Sequence, residues 1–374
     1  MPGTGPVPGT GWDPPSVAAN FRVMARSMRD YGSPLHSEIM RRGSEDAEIL
    51  ALAGHVARGQ PVGSVLLSVV HALVLQRPHE PLAAFYRSVT AQPRPAGEAW
   101  PVFREFCLRN ADEIAAQLAV RTFQQTTADR ATYVAIALAH VAAAAGEPLS
   151  LVEIGCSAGV LLLFDRYRYD FGVAGSAGDA GSPVQVACAT RGSRPIPVPA
   201  VLPRVARRVG IDLLDFDPRD EAQRRWLIAT LYPEWVRQRA NLRAALEMRA
   251  ATPIEFVRCD AISALPGVLP GLPDPICIYT SHCLYQWAKP ALDALQDALC
   301  VLSRHRRLHF VTIEVPGAMR GTFPEDYAAG RVATVDGHVV SEVTWTVYAA
   351  GAVESSRVIA HADGYGHWIE WLGD

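Results

Sequence analysis

An apolar run, a glycine turn and a second apolar run stand together at residues 149–165, an order of residue types suited to binding a ligand. The first run carries an acid, Glu153, and the turn extends from Gly155 to Gly159 with Ser157 in its middle. A strand that passes through such a turn into a helix brings backbone N–H groups and the positive end of a helix to the rim of a pocket. A tight turn in any α/β protein has the same pattern, so the stretch predicts the fold more firmly than the ligand.

Two further acids, Asp212 and Asp260, each stand at the end of a predicted strand. Ligands of open α/β sheets bind outside the carboxyl ends of the strands. In the order E-x-G-x-x-x-G, the glycine turn resembles the first motif of S-adenosylmethionine-dependent methyltransferases, in which such acids hold the ribose and the adenine. If that cofactor is used, the expected binding residues are Glu153, Gly155, Ser157, Gly159, Asp212 and Asp260. Each aspartate has the alternative, and commoner, role of a helix N-cap.

Polar residues after the fourth predicted strand and after the glycine turn could act on a substrate. The strand at 275–281 runs directly into Ser281 and His282, and a histidine there is a candidate general base or anion ligand. The cluster D-R-Y-R-Y contributes a second group, whose arginine could bind an anion through two parallel hydrogen bonds. Its candidate substrate-binding residues are Asp165, Arg166 and Tyr169. Alternatively, His282 is a hydrogen-bonded histidine of the core, and the D-R-Y-R-Y cluster is a solvated helix end.

The first part of the chain adds candidates on predicted helices. His71 lies in a strongly apolar helix, where a polar ring must find a partner or face a cavity. Asp112 and Glu113 are adjacent within another helix, and one of them could face the same cavity. A polar strip between residues 121 and 130 is either a helix start or a substrate-reading surface. Its candidate ligands for an anion are Arg121, Gln124, Gln125 and Arg130.

The pattern of apolar residues changes near residue 147 and predicts an α/β protein with two domains. Residues 1–15 are rich in Gly and Pro and predict a disordered arm, whereas 16–146 have helical spacing throughout. From 147 to 374, short β-rich runs alternate with helices, which predicts a mostly parallel, Rossmann-like sheet. The last strands are closely spaced around Gly351, so a terminal antiparallel hairpin is expected. The expected site lies between the two domains.

The composition excludes several classes of function. The 374 residues are 49% hydrophobic and 20% charged, with a net charge of -3, which favours neither nucleic acid nor a membrane as partner. The seven cysteines contain no C-x-x-C pair, so we expect free thiols in a reducing cytoplasm and no metal site. No apolar stretch is long enough to predict a membrane span.

Taken in order, these segments resemble a bacterial family, the DUF2332 proteins, from about residue 20 to Leu372. The motifs that carry the resemblance are Ser33-Pro34-Leu35, His71, Phe103-Arg104-x-Phe106-Cys107 with Asp112 and Glu113, the Gly155–Gly159 turn, Asp165-Arg166-Tyr167-x-Tyr169, Gly210-Ile211-Asp212-Leu213, Ser281 and Gly366-His367-Trp368-Ile369-Glu370-Trp371. The resemblance implies a class I methyltransferase-like fold. The chain departs from the family pattern at Gln124-Gln125-Thr126-Thr127, at Leu161 and at Thr280-Ser281, which suggests a changed activity.

One branch of this family is similar to aziridine synthases of specialised metabolism. In that branch, an amine displaces sulfate from a neighbouring carbon of an amino-acid derivative carried on a small acidic carrier protein, and a small partner subunit assists. The resemblance implies a reaction that requires no cofactor. The expected catalytic residues are Asp112, His71 and His282, with sulfate held by the arginines named above.

Two other functions stay open from the sequence. The first is an S-adenosylmethionine-dependent methyltransferase that acts on a small molecule. The second is a non-catalytic binding subunit that has kept the fold and lost its chemistry.

Overall fold

The computed structural model describes residues 12–322, 334–335 and 338–373. The helices are α1 (Pro14–Asp30), α2 (Pro34–Gly43), α3 (Ala47–Ala53), α4 (Val62–Gln76), α5 (Ala99–Arg109), α6 (Ala111–Leu118), α7 (Ala131–Ala145), α8 (Glu221–Ala229), α9 (Val236–Ala251), α10 (Ala261–Val268) and α11 (Lys289–Leu302). The strands are β1 (Leu149–Ile154), β2 (Arg168–Asp170), β3 (Ser176–Ala177), β4 (Gln185–Ala187), β5 (Ala189–Arg191), β6 (Val205–Asp212), β7 (Glu255–Arg258), β8 (Ile276–Ser281), β9 (Leu308–Glu314), β10 (Thr334–Val335), β11 (His338–Ala349), β12 (Ala352–Asp363) and β13 (Trp368–Trp371). No described helix is long and apolar enough to cross a membrane.

The chain forms two compact units, and the first is helical. It contains the described residues up to Thr126 together with 220–239, so α8 belongs to it. The second contains 127–219 and 240–373, so α7 groups with the sheet and the division differs from the expected boundary at residue 146. Of the expected N-terminal arm, residues 1–11 lie outside the described residues, and α1 already begins at Pro14.

Local signals in the sequence set the helix starts of the first unit. The Asp13 side chain accepts a hydrogen bond from the Ser16 backbone N–H, and a proline occupies the first turn of α1, where it is best tolerated. Asp46 caps α3 through the N–H groups of Glu48 and Ile49. The apolar faces of these helices share one core that includes the fully buried Phe21, Val70 and Phe103.

The second unit is built on a ten-stranded mixed sheet with the order β5-β13-β12-β11-β9-β8-β1-β6-β7, and β10 pairs with β11. The centre, from β9 to β7, is parallel, and β9, β11, β12 and β13 pair antiparallel. The predicted α/β class, the mostly parallel sheet and the terminal antiparallel hairpin are therefore confirmed. Strands β1, β8 and β9 are buried along their whole length, which explains their unbroken apolar runs.

The register of the parallel strands brings candidate residues to one edge of the sheet. Glu153 of β1 lies beside Gly210 of β6 and Tyr279 of β8. The helix expected after the glycine turn is instead a short 3₁₀ turn at Leu161–Arg166. The helical residues that follow β6 form two helices, α8 and α9. Pro233 lies between those two and cannot continue the hydrogen-bonding pattern of a helix.

Candidate active site at the carboxyl ends of the parallel strands

The glycine turn after β1 has a backbone that only certain residues can adopt. Gly155, Ser157 and Gly159 have φ values of 72°, 50° and 69°, in the left-handed region. A Cβ atom on Gly155 would collide with the side chain of Cys283, so glycine is required there for space as well as for conformation. Ser157 is not a glycine, and such strained residues often mark functional segments.

Asp212, at the end of β6, stabilises this turn by hydrogen bonds to backbone N–H groups. Its Oδ2 accepts a hydrogen bond of 2.8 Å from the backbone N–H of Ser157, and its Oδ1 accepts one of 3.0 Å from the N–H of Leu214. The residue is only 6% exposed. Both carboxylate oxygens are thus engaged by the protein's own backbone.

Glu153 and Asp260, the other two acids of the predicted nucleoside pocket, have different environments. Glu153 is buried, which raises the pKa of its carboxyl well above the ordinary value, and Oε2 accepts a hydrogen bond of 3.1 Å from the Tyr279 hydroxyl. Asp260 is exposed and accepts a hydrogen bond of 3.0 Å from the Ser263 N–H. Asp260 therefore has the alternative role considered for it, that of the N-cap of α10.

The chain leaves β8 through a strained histidine. His282 has a φ of 54°, and its backbone N–H donates to the carbonyl of Ile313 at 2.9 Å. The residue is partly exposed, and its ring Nε2 lies 3.4 Å from the Ser341 hydroxyl, with the ring centroid 6.4 Å from that of Tyr133. The adjacent Ser281 is buried and lies 3.5 Å from the Tyr133 hydroxyl. Sequence reasoning located these two residues correctly at the end of a strand.

The surroundings of His282 favour its neutral form. Desolvation lowers the pKa of the ring well below the ordinary value, and the positive charge of Arg130 lowers it further, while Asp363 opposes both effects. A neutral imidazole can accept a proton at pH 7. His282 therefore has the charge state that a general base needs.

Arg130 supplies positive charge to the same edge. Its side chain is buried, its Nε donates a hydrogen bond of 2.9 Å to the carbonyl of Gly364, and its guanidinium lies 5.4 Å from the centre of the Tyr365 ring. These contacts fix the plane of the guanidinium. Thr127, three residues before Arg130 in the predicted polar strip, caps a 3₁₀ turn by accepting a hydrogen bond from the Asp129 N–H, so this end of the strip is a helix start.

An acid that the sequence analysis missed holds the loop that carries His282. Oε1 of Glu314, at the end of β9, accepts hydrogen bonds from the backbone N–H groups of Cys283 and Leu284 at 2.8 and 2.9 Å, and from the Thr280 hydroxyl at 3.2 Å. Burial raises the pKa of Glu314 to about 7, against these hydrogen bonds, which lower it. In the sequence, Glu314 is an acid at the end of an apolar run, which is the same signal that identified Asp212 as a candidate.

The D-R-Y-R-Y cluster is part of the scaffold. Asp165 pairs with Arg208 at 2.6 Å, although burial still raises the pKa of that carboxyl. Arg166 is exposed and donates to the Thr252 hydroxyl at 3.0 Å. Tyr169 is fully buried, and its hydroxyl donates to the Phe164 carbonyl at 2.6 Å. The expected substrate contact through Tyr169 is corrected, since a side chain without surface cannot meet a ligand in this conformation.

His71, in the helical unit, has both ring nitrogens engaged. Nδ1 lies 3.0 Å from the carbonyl of Ala229, so it must carry the proton, and Nε2 lies 2.7 Å from the Ser88 hydroxyl. The side chain is completely buried. Its expected role as a base is corrected to that of a structural histidine whose polar atoms are satisfied in the core.

Asp112 and the first half of the polar strip also lie in the helical unit. Asp112 is exposed in the first turn of α6, and the neighbouring Glu113 pairs with Arg77 at 2.8 Å. Asp112 therefore does not share the buried environment of His71. Arg121 lies over the Trp226 ring at 4.8 Å, and Gln125 donates to the Thr230 carbonyl at 2.6 Å.

Gln124 is partly exposed. Like Arg121 and Gln125, it belongs to the helical unit, and its expected role in binding an anion stays a prediction.

One group of the described residues has the donor atoms and the spacing for a metal ion, and it consists of His338, Asp363 and His367. His367 lies four residues after Asp363, whereas His338 is distant in sequence and is brought close by the pairing of β11 with β12.

A family model matches residues 18–371, nearly the whole chain, and its description is DUF2332, an uncharacterized protein conserved in bacteria. No curated protein and no solved structure matches the sequence.

Proposed function

Because the chain belongs to the DUF2332 family, and because His282 and Arg130 stand together at the carboxyl ends of the parallel strands, we propose that it is an aziridine-forming enzyme of specialised metabolism. Its substrate is an amino-acid derivative with an amine and a sulfate ester on neighbouring carbons. The observation that carries the proposal is a neutral imidazole, on a partly exposed residue, next to a buried cation.

The reaction is an intramolecular displacement. The lone pair of the amine forms a bond to the neighbouring carbon while the C–O bond of the sulfate ester breaks, and both electrons of that bond leave with sulfate. The ring nitrogen then loses one proton. Such a displacement depends mainly on positioning the nitrogen in line with the leaving group and on stabilising the charge that develops.

His282 accepts the proton. Its ring is neutral near pH 7 because burial and Arg130 lower its pKa, and the residue is partly exposed. The strained backbone at this residue is set by the strand end before it and by the Glu314 hydrogen bonds after it. A base held on such a rigid segment keeps its orientation through the catalytic cycle.

Arg130 stabilises the departing sulfate through its positive charge. Its hydrogen bond to Gly364 fixes the guanidinium, and burial strengthens its electrostatic effect on a nearby anion. Neither His71 nor Asp112 is needed for either role. Of the three expected catalytic residues, His282 is therefore the one proposed as the proton acceptor.

A methyltransferase that uses S-adenosylmethionine is a second candidate, favoured by the Gly155–Gly159 turn at the end of a central parallel strand. It has less support because both oxygens of Asp212 accept backbone N–H groups and because Asp260 caps a helix. Calorimetry with S-adenosylmethionine separates the two, since micromolar binding would favour the methyltransferase.

The proposal is tested by incubating the purified full chain with a vicinal amino sulfate ester of an amino-acid derivative, free and attached to a small acidic carrier protein. The readouts are inorganic sulfate and the mass of the organic product. We expect equimolar sulfate and cyclised product, with the carrier-bound form preferred. A small partner subunit, if one is needed, is added in a parallel reaction.

Variants assign the roles. His282→Gln should lower kcat by about 10²–10⁴-fold, the usual contribution of a general base. Arg130→Gln should lower it by about 10²–10³-fold, with a smaller loss for Arg130→Lys, which keeps the charge. The exposed His79→Ala and Arg22→Gln are matched controls that should retain full activity. If the two site variants also keep full activity, the assigned roles are wrong, and a non-catalytic binding subunit is the remaining explanation.

A further inference from the structure

Three potential metal ligands converge where β11 begins and β12 ends. The donor atoms of His338, Asp363 and His367 all lie within 4.8 Å of one another. His338 Nδ1 lies 3.2 Å and His367 Nδ1 lies 3.3 Å from the same atom, Oδ2 of Asp363. Two imidazoles from different parts of the chain thus present the same ring nitrogen to one carboxylate oxygen.

Backbone contacts fix the orientation of Asp363. Its Oδ1 accepts hydrogen bonds from the N–H groups of Tyr365 and His367 at 3.1 and 2.6 Å, which turns Oδ2 towards the two rings. The side chain is 0% exposed, and within the described part of the chain the two imidazole rings are the contacts that Oδ2 makes. A buried carboxylate oxygen in that state is costly unless a cation satisfies it.

The distances around Oδ2 suit a shared ion as well as long hydrogen bonds. Charge-assisted N–H···O hydrogen bonds are about 2.7–2.9 Å long, which is shorter than both observed separations. Zinc binds nitrogen and oxygen at about 2.0–2.1 Å, and tetrahedral angles then place two ligands about 3.3 Å apart. The ligand nitrogens of the two imidazoles lie within 4.8 Å of each other.

The turn between Asp363 and His367 has a backbone that holds this arrangement. Gly366 has a φ of 82°, and a Cβ atom there would collide with the backbone of Asp129, so the position requires glycine. The turn returns His367 to the carboxylate four residues before it, and His367 then enters β13. Orientation of first ligands by such surrounding contacts is typical of metal sites.

We propose that His338, Asp363 and His367 bind a divalent first-row transition-metal ion, with Zn²⁺ as the best fit. Two imidazole nitrogens and one carboxylate oxygen suit zinc and its neighbours, whereas calcium and magnesium prefer all-oxygen sites. The histidine side chains are 18% and 26% exposed, so an ion can enter. Three such ligands leave a tetrahedral ion one position for water.

The proposed sulfate displacement takes no step through this site, although Asp363 also acts on the pKa of His282. In that reaction His282 accepts the proton and Arg130 stabilises the departing sulfate, and no step needs a metal ion. Loss of the metal would therefore not decide whether the chain forms aziridines, and loss of that activity would not decide whether the metal binds.

The test uses the full chain, treated with a chelator and dialysed against buffer with known Zn²⁺. Elemental analysis should give one zinc per chain, and calorimetry should show the same stoichiometry. His338→Ala and His367→Ala should each weaken binding by more than about 100-fold, since even changes around a metal site commonly cost 10–100-fold. Exposed His305→Ala is the matched control and should bind zinc as the wild type does.

Two further measurements keep the test decisive if a variant folds poorly. Zinc should raise the Tm of the wild type and of His305→Ala, but not of the two ligand variants, because binding to the folded state stabilises it. Co²⁺ should give the visible bands of a tetrahedral site without a thiolate charge-transfer band, which excludes the cysteines as ligands. No stoichiometric zinc in the wild type, or binding that survives both substitutions, would overturn the proposal and leave two ordinary histidine–aspartate contacts.

Discussion

Glu314 Oε1 lies 2.8 Å from the backbone nitrogen of Cys283, so a carboxylate at the end of β9 holds the loop that follows β8. The same oxygen binds the next N–H, of Leu284, at 2.9 Å. The orientation of His282, one residue earlier, therefore depends on an acid from the neighbouring strand.

Glu314→Gln should loosen this loop. Above pH 7, where the carboxyl is ionised, the amide keeps one acceptor oxygen but loses the charge, so we expect a loss of about 1.5–3 kcal/mol in the free energy of local opening. Hydrogen exchange at the amides of Cys283 and Leu284 measures it. Glu342→Gln, which replaces the acid opposite Glu314 in the register, is the control and should leave both exchange rates unchanged. Equal protection in wild type and Glu314→Gln would show that the carboxylate does not hold the loop.

The ionisation of Glu314 should make stability depend on pH. Its ordinary pKa is 4.5 and burial raises it to about 7, so between those values the folded state binds more protons than the unfolded state. The free energy of unfolding should then fall as pH rises through this window, and the contribution should be constant above it. Chemical unfolding of the wild type and of Glu314→Gln at several pH values tests this. The free energy of unfolding of the wild type, relative to that of the variant, should fall as pH rises within this window and stay constant above it.

The pH dependence of turnover should show the lowered pKa of His282. The base must be neutral to act, and burial together with Arg130 lowers its pKa well below 6.5. The acidic limb of kcat/KM should therefore lie below pH 6.5, and Arg130→Gln should move it to higher pH by removing a positive charge. An acidic limb above the ordinary histidine value, unaffected by Arg130→Gln, would contradict the assignment of His282 as the base.

His71 should matter for stability instead of chemistry. His71→Leu would leave the Ala229 carbonyl and the Ser88 hydroxyl without their imidazole partner, at a cost of about 1–3 kcal/mol in the free energy of unfolding. His36→Leu is a close comparison, because its buried ring nitrogens have no hydrogen-bond partner within the described residues. It should destabilise less than His71→Leu in chemical unfolding. The opposite order would mean that the His71 contacts contribute little.

The sequence predicted the parts of the fold that local patterns determine. Strand 149–154, the glycine turn and the histidine after β8 all stand where apolar runs end, and such ends can be read from one segment at a time. Strand β13 was missed because it has four residues and owes its place to pairing with β12 and β5.

The roles of several site residues also depend on contacts with distant segments, which a local pattern cannot predict. His71 resembles a polar ring facing a cavity until Ala229, 158 residues away, supplies a carbonyl. The cluster of His338, Asp363 and His367 depends on the pairing of β11 with β12 and on a turn whose shape a glycine sets. Contacts of this kind form only after the chain has folded, and no local spacing reveals them.

The most direct test of aziridine formation follows one oxygen atom. A vicinal amino sulfate ester labelled with ¹⁸O at the oxygen that joins carbon to sulfur is turned over by the wild type, and the products are separated by mass. Displacement at carbon predicts that the label leaves with sulfate, that the organic product is a ring without the label, and that His282→Gln releases far less of both. Label retained in an alcohol would mean that the S–O bond is cleaved instead, which would contradict the proposed reaction.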